Sequence, residues 1–302
     1  MNTATKLKSE PNYHPNLQTA CLSSVIAECG SEINAIDVPR VLLRQVAEKK
    51  LRAEIVSTED AVFVGAEELE SAAATLGLEI AVCVASGTDI QAGQVVAAVT
   101  GNPLQIVRGE DKLLSNIGKA SGIATAARRA VRNAGRIRVV CGGWKKIPLA
   151  IKQLLRSAVM AGGSEVRMLS EPFVYLDKNY MRIFGSLRNA VEAAKVLPGR
   201  ALIVQLRGET APIGQEAIIA AGYGVRIVMV DTGDIADVRK VSENLRQEGL
   251  RERVKIAFAG GVMLGDLENF QQEDVDIVDI GRAILDAPLT DFRYDVVKMA
   301  SV

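Results

Sequence analysis

The chain has a single histidine, His14, in a polar N-terminal stretch, and only four cysteines, Cys21, Cys29, Cys83 and Cys141, none of them in a CxxC pair. With so few ligands and bases of that kind, neither a zinc site nor a histidine-based triad is expected. Aromatic residues are scarce, at 4% of the 302 residues, which argues against a β-sandwich core. No charge of either sign is in excess: lysine plus arginine is 36 and aspartate plus glutamate is 36, so no global field draws in nucleic acid or acidic membrane. The first twenty residues have no apolar signal-peptide core, and no apolar run reaches membrane-spanning length. The expectation is a cytoplasmic protein whose partner is a small molecule or a second copy of itself.

What the chain does have is aliphatic bulk, with 48% hydrophobic residues rich in Ala, Val, Ile and Leu, as buried parallel strands and packed helices require. Periodicity predicts a helix over 38–51, with Val41, Leu42, Val46 and Leu51 as its apolar stripe. Between 53 and 107, short β-like runs (53–57, 61–65, 80–85, 95–101) are broken by glycines and interrupted by a helix over 67–76. That texture predicts a small antiparallel sheet with helices on one side. The stretch 113–135 predicts a linking helix that breaks or restarts at Ser121-Gly122. Beyond it, strands at 137–141, 173–176, 201–206, 226–230, 254–258 and 275–280 alternate with helices, which implies parallel strands in a barrel or a doubly wound sheet. The segment 291–299 is expected to pack back on the first unit.

In parallel α/β folds ligands collect at the carboxyl ends of the strands. The fifth strand of the second half ends in Ala259-Gly260-Gly261 and the sixth in Gly281-Arg282-Ala283. Glycines there let backbone N–H groups approach an anion, a following helix adds its dipole, and Arg282 adds a charged donor. A pair of tight turns would explain either loop alone; two at adjacent strand ends point to the phosphate of a small phosphorylated sugar-type ligand. Asp231, ending the fourth strand, suits Mg²⁺ or a sugar hydroxyl, or only a helix cap. Lys145 and Lys146 follow the first strand and suit a pyrophosphate, or only solvent. Arg167 suits a carboxylate or phosphate.

With these residues in place, SGIATAARRAV (121–131) resembles the Ser-Gly-Ile-Ala-Thr stretch of the quinolinate phosphoribosyltransferases, the carboxylating nicotinate-nucleotide pyrophosphorylases of NAD biosynthesis. AEIVSTEDAVFVG (53–65), GQVVAAVTG (93–101), VRIVMVD (225–231), AGGV (259–262) and VDIVDIG (275–281) are similar to the same family in the same order. The resemblance implies an N-terminal α/β sandwich domain over 1–120, completed by about 287–302, and an open six- or seven-stranded α/β barrel over 121–286. It implies a homodimer or dimer-based oligomer in which one subunit's N-terminal domain covers its partner's barrel. It also implies Mg²⁺-dependent transfer of ribosyl phosphate from phosphoribosyl pyrophosphate to quinolinate, with loss of carbon dioxide from the product.

Carried residue by residue, the match is partial, and the chain reads as a divergent member. The family's Glu-Arg ahead of the signature falls on Glu110-Asp111, and that arginine reaches the partner's substrate. The Asp-Thr-Arg-Lys-Thr-Thr-Pro loop falls on GGWKKIP (142–148), keeping Lys145 but placing Trp144 where an arginine belongs. Asn-His-Arg falls on Glu165, Val166 and Arg167; a further lysine appears one place late as Lys178. The metal-side glutamate has only Glu209 or Gln205 as counterparts, and a late histidine becomes Leu285. Asp231, Gly260, Gly261 and Gly281 fit.

Each lost cation removes roughly 1.5–3 kcal/mol of charge-assisted hydrogen bonding. The donor half therefore looks intact and the acceptor half altered from quinolinate, with Trp144 either stacking on the acceptor or simply packed, and Asp111 or Glu165 favouring a neutral or cationic acceptor. In this assignment Lys145, Lys178 and Asp231 are the catalytic residues. Arg167, Trp144, Asp111, Gly260, Gly261, Gly281 and Arg282 bind substrate or phosphate, and Asp231 with Glu209 holds Mg²⁺. Two other functions remain open at this point: a lyase or isomerase of a phosphorylated sugar, and a non-catalytic paralogue that binds a phosphorylated ligand or a protein.

Overall fold

A computed structural model describes residues 37–297. His14, Cys21, Cys29 and the N-terminal stretch lie outside the described residues.

The N-terminal unit begins with α1 (Val38–Leu42), capped by the Asp37 side chain, and a 3-10 turn at Arg44–Val46. The predicted helix over 38–51 is thus one short turn, and its stripe is not a core face: Leu42 is 76% exposed. By Leu51 the chain has become β1 (Leu51–Ser57). Then follow β2 (Ala61–Phe63), α2 (Ala66–Leu76), β3 (Glu79–Val82), β4 (Thr88–Ile90) and β5 (Val95–Gly101). The last strand, β12 (Phe292–Val297), returns to pair antiparallel with β1, giving a four-stranded sheet β12-β1-β5-β3; β2 and β4 form a separate ribbon. Ile55, Phe63, Leu69, Val99, Ile106 and Leu113 pack between sheet and helices.

One helix joins the two halves. α3 (Pro103–Ala134) is 32 residues long, opened by a capping box in which Asn102 and Gln105 satisfy each other's backbone N–H. It does not break at Ser121-Gly122. Gly122 is there for close approach: a Cβ would overlap the Pro288 carbonyl, so the 288–290 crossing can lie this close to the helix only because the residue is glycine. Ser121 Oγ accepts from Val64 N–H at 3.0 Å, and Thr125 Oγ1 accepts from Val62 N–H at 2.8 Å. These two hydroxyls satisfy backbone donors of β2 and its exit that have no strand partner there. The upper turns of α3 bury Ile106, Leu113 and Ile117 in the N-terminal core, and the lower ones bury Ile123, Ala127 and Ala130 in the barrel core.

The second half has β6 (Arg138–Val140), α4 (Leu149–Ala161), β7 (Phe173–Leu176), α5 (Lys178–Phe184), α6 (Leu187–Ala194) and β8 (Ala201–Leu206). It continues with α7 (Ile213–Gly222), β9 (Ile227–Asp231), α8 (Ile235–Gln247), β10 (Lys255–Ala259), α9 (Leu267–Phe270), β11 (Ile277–Asp279) and α10 (Arg282–Leu285). All ladders are parallel and the order is β6-β11-β10-β9-β8-β7. Each strand from β7 onward lies beside its successor and β11 closes onto β6, so the winding never reverses. That is a barrel, open between β6 and β7, and it decides between the two parallel architectures. The segment 164–168 covers the opening: Glu165 exchanges backbone bonds with Val139 and Cys141, and Met168 joins Ile203, Ile227, Met229 and Ile277 inside.

Candidate functional site

The carboxyl ends of the six barrel strands surround a cavity of about 1350 Å³. Its wall at β10 and β11 carries a run of glycines, Gly260, Gly261, Gly281 and, from β6, Gly142 and Gly143, alongside Val262, Met263 and Ala283. Gly260 has φ +108°, and a Cβ on it would fall on the N–H and Cα of Gly233, so the loops after β9 and β10 touch backbone to backbone. Gly281 is different: a Cβ there meets nothing nearer than the Gly142 carbonyl at 4.0 Å, leaving its backbone open to the cavity. Arg282 follows on α10, but its 86% exposed side chain pairs with Asp286.

The floor is acidic. Asp231 accepts from Gln205 Nε2 and, at 3.2 Å, from Arg207 Nη1, which also reaches the Asp231 carbonyl at 2.6 Å. Gln205 uses its other end to accept the Lys178 backbone N–H at 2.7 Å, so one buried amide ties the end of β9 to the first turn of α5. Beside Asp231 sits Asp279, held on the backbone N–H of Gly142; a Cβ at 142 would occupy the space of its carboxyl group. Burial, reinforced by the Asp231 charge, pushes the Asp279 carboxyl up to about 6. Tyr175 completes the floor, its hydroxyl 3.1 Å from Met229 Sδ, and burial together with Asp231, Asp279 and Asp177 raises its pKa. Cys141 is buried under this floor and pushed up to about 12, so its thiol stays protonated.

Arg207 owes its position to a buried charge. Glu216, in the first turn of α7, accepts from the backbone N–H groups of Arg207, Gly208 and Thr210 at 3.3, 2.9 and 2.9 Å, and from Thr210 Oγ1 at 2.8 Å. These bonds satisfy a buried carboxylate and fix the loop after β8.

The side toward the barrel opening is made of side chains from several elements. Trp144, from the loop after β6, lies under Arg156 of α4, whose guanidinium carbon is 5.3 Å from the indole centroid. Arg167, from the segment that covers the opening, lies 5.2 Å over the Phe173 ring. Val166 and Met168 complete this end.

The cavity brings together most of the residues singled out from the sequence: Lys145, Lys178, Asp231, Trp144, Arg167, Gly260, Gly261, Gly281 and Arg282 all line it. Asp111 does not; it is exposed on α3. Glu165 turns away and takes a two-pronged bond from Arg138 at 2.9 and 2.6 Å. Glu209 is not brought to Asp231: it is gripped by Arg182 at 2.8 and 2.9 Å, and Arg207 stands between the two carboxylates, 3.5 Å from one and 3.2 Å from the other. Sequence reading misses Asp279, Arg156 and Tyr175. Asp279 has a signal, being an acid at the end of a buried strand; Arg156 has only its place beside the apolar face of an amphipathic helix.

The barrel cut between its first two strands, with its glycine-lined strand ends, sets up the comparison with known families. The model described as quinolinate phosphoribosyl transferase, C-terminal domain, matches residues 123–295, and that of the N-terminal domain matches 37–121. The chain belongs to the quinolinate phosphoribosyltransferase family. A probable carboxylating nicotinate-nucleotide pyrophosphorylase of Archaeoglobus fulgidus is 28% identical over 253 residues, covering 83% of this chain and 96% of that one. Among solved structures, the nicotinate-nucleotide pyrophosphorylase of Pyrococcus furiosus is similar at TM-score 0.75 and 24% identity, over 86% of this chain and 72% of that one. The nicotinate-nucleotide pyrophosphorylase of Francisella tularensis is similar at TM-score 0.74 and 17% identity, over 95% of this chain and 98% of that one. Within this quinolinate phosphoribosyltransferase fold, the Ser-Gly-Ile-Ala-Thr signature serves architecture: Ser121 and Thr125 hold the β2 backbone, and Gly122 admits the crossing at Pro288. No helix among the described residues is long and apolar enough to cross a membrane.

Proposed function

We propose that the protein is a phosphoribosyltransferase that takes a phosphoribosyl pyrophosphate-type donor and joins it to a heteroaromatic acceptor altered from quinolinate. The observation that carries this reading is the division of one cavity into a backbone-lined end at Gly260, Gly261 and Gly281 and a cationic, aromatic end at Trp144, Arg156 and Arg167. The first end suits a sugar 5′-phosphate, which accepts from backbone N–H groups. Lys145 and Lys178, which line the same cavity, suit the pyrophosphate, and stabilising that leaving group is the main contribution asked of the protein. The acceptor's ring nitrogen would attack the sugar carbon as the pyrophosphate departs.

Mg²⁺ fits the floor. Asp231 and Asp279 offer two carboxylates in one cavity, and burial together with the Asp231 charge raises the Asp279 pKa, a cost that a cation held by both would relieve. A Mg²⁺ ion held by one or two carboxylates completes its shell with water and substrate phosphates. It would neutralise charge on the departing pyrophosphate. Among the described residues no group of three or more acidic, Cys or His side chains is placed to cage a metal ion, so the donor's own oxygens are needed. A homodimer belongs to the same proposal. Leu149, 86% exposed at the start of α4, offers apolar contact surface for a second copy, which is also the route by which Asp111 would reach a site.

The test is calorimetric binding of phosphoribosyl pyrophosphate, with and without Mg²⁺, to wild type and Gly281→Asp. The open space at Gly281 leaves the fold intact, while the new carboxylate opposes the phosphate. Binding that requires Mg²⁺ and falls about 100-fold or more is expected, the sum of a lost charge-assisted bond and added repulsion. The same samples should sediment as dimers. Binding to neither protein under any condition would remove the transferase reading.

A further inference from the structure

Two glycines follow β6, and they are glycines for different reasons. Gly143 has φ +82°, a left-handed turn that favours glycine. Gly142 has no positive φ, so no such turn demands glycine there. What excludes a side chain at 142 is Asp279. The first three atoms that a Cβ there would meet are the oxygens and the carbon of the Asp279 carboxyl group, the carbon at 2.7 Å. The same carboxyl accepts the Gly142 N–H. Glycine and acid therefore fit together as one unit across two strands.

This unit sits where the first and last barrel strands part. The ladder between β6 and β11 ends with Asp279 opposite Val140, and the Ile280 N–H closes it on the Val140 carbonyl at 2.9 Å. Beyond that bond no backbone hydrogen bond joins the two loops. The Cys141 N–H turns away to Glu165, and the Gly281 carbonyl serves its own helix. The loops nevertheless run close: a Cβ on Gly143 would lie 3.7 Å from the Gly281 Cα, and one on Gly281 would lie 4.0 Å from the Gly142 carbonyl. The Asp279 carboxyl is the polar link between them.

Each loop brings a hydrogen-bond donor to the cavity. Lys145 stands on the 3-10 turn that follows Gly143, and Gly281, just past Asp279, leaves its backbone open. We propose that Asp279 is a positioning residue: seated in the space Gly142 leaves, its carboxyl locks the Lys145 loop to the Gly281 loop and holds their spacing. The lock acts as a ruler for a ligand that carries phosphate groups at both ends. The transferase reading supplies the identity of that ligand, phosphoribosyl pyrophosphate; the lock itself rests on geometry alone. Two sites at a kept spacing bind a ligand with two groups more tightly than they bind the groups apart, and the gain shrinks as the spacing loosens.

Trp144 is the only tryptophan and lies in the Lys145 loop, so acrylamide quenching of its emission reads the order of that loop with no ligand present. Asp279→Ala removes the link and should raise the quenching constant about twofold. Asp279→Asn keeps an oxygen for the Gly142 N–H and should quench as wild type does. Gly142→Ala should match Asp279→Ala, because its methyl evicts the carboxyl, and the double variant should be no worse than either. Calorimetry of the full chain with saturating Mg²⁺ then compares phosphoribosyl pyrophosphate with its halves, ribose 5-phosphate and inorganic pyrophosphate. The advantage of the whole over the product of its halves should fall about tenfold in Asp279→Ala and be unchanged in Asp279→Asn. Any share of Asp279 in holding Mg²⁺ cancels from this ratio, since it would weaken pyrophosphate and the whole donor alike.

The proposal is overturned if Asp279→Ala quenches as wild type does, if the effects of Gly142→Ala and Asp279→Ala simply add, or if Asparagine at 279 loosens the loop as much as alanine. It is equally overturned if Asp279→Ala melts at a lower temperature yet keeps the full advantage of the whole donor, for the residue would then be structural only. The two readings fail separately. Quenching that depends on Asp279 and Gly142, in a protein that binds neither phosphoribosyl pyrophosphate nor pyrophosphate, removes the transferase and leaves the lock. Donor binding in a protein whose loop is indifferent to Asp279 does the reverse.

Discussion

The two ends of the cavity are built from different materials. The end at β10 and β11 is rich in exposed backbone, shaped by Gly260, Gly261 and Gly281, and its conformation is fixed by the strands it terminates. The end near the barrel opening is side chain, assembled from a loop, a helix and the segment that covers the gap, with Trp144, Arg156, Val166 and Arg167. Backbone recognises what every donor of a class shares, a phosphate, and does so without regard to the rest of the ligand. Side chains recognise what distinguishes one acceptor from another. Substitution can therefore retune the second end freely, while the first tolerates little.

Gly260→Ala should give the largest effect and separates the ends most sharply. A side chain at φ +108° is strained by about 1–3 kcal/mol, and this one also collides with the Gly233 backbone. We expect affinity for phosphoribosyl pyrophosphate to fall 100-fold or more, while the fluorescence response of Trp144, the chain's one tryptophan, to a heteroaromatic acceptor survives. Parallel loss of both would mean that the two ends are one cooperative unit, and the division drawn here would fail.

Glu216→Ala comes next and attacks the joint between them. Removing the buried carboxylate strands the N–H groups of Arg207, Gly208 and Thr210, at a cost of about 3 kcal/mol in stability, measurable by urea unfolding. Arg207 then loses its hold on Asp231, and turnover should fall roughly tenfold with acceptor affinity unchanged, about 1.4 kcal/mol at the barrier. Unaltered turnover would show that Asp231 needs no such support.

The same contrast explains what could be read in advance. Parallel strands buried on both faces are continuous aliphatic runs, so β7 and β8 are found to the residue and the remaining barrel strands to within a residue or two. Glycines at strand ends mark the backbone-lined end because their chemistry is local. The side-chain end depends on contacts between residues distant in sequence, and nothing in the spacing of Trp144 and Arg156 announces that one lies over the other. Glu209 fails as a partner for Asp231 for the same reason: only the fold reveals Arg207 between them. The helix expected over 38–51 misleads because its apolar residues have periodicity without a surface to bury against. The break expected at Gly122 misleads because that glycine answers to a neighbouring chain rather than to the helix that contains it.

Asp279→Asn should have the smallest effect and the opposite sign. Between about pH 4, near the ordinary value of 3.8, and its raised value of about 6, the native carboxyl keeps a proton that the unfolded chain has released. Native stability therefore declines as pH rises through this window, and above it the full cost of an ionised acid beside Asp231 remains. Asparagine keeps the bond to the Gly142 N–H without that charge. The variant should be more stable than wild type by about 2 kcal/mol at pH 8 in metal-free buffer, and the two should converge below pH 4. Adding Mg²⁺ with pyrophosphate should reverse the order at pH 8, because the wild type then has a cation to share between its two acids. Melting curves at the two pH values, with and without that pair, read all of this in one experiment. Equal melting at pH 8 without metal would mean that solvent already screens the floor, and the metal would then have to be held by the donor's oxygens and Asp231 alone.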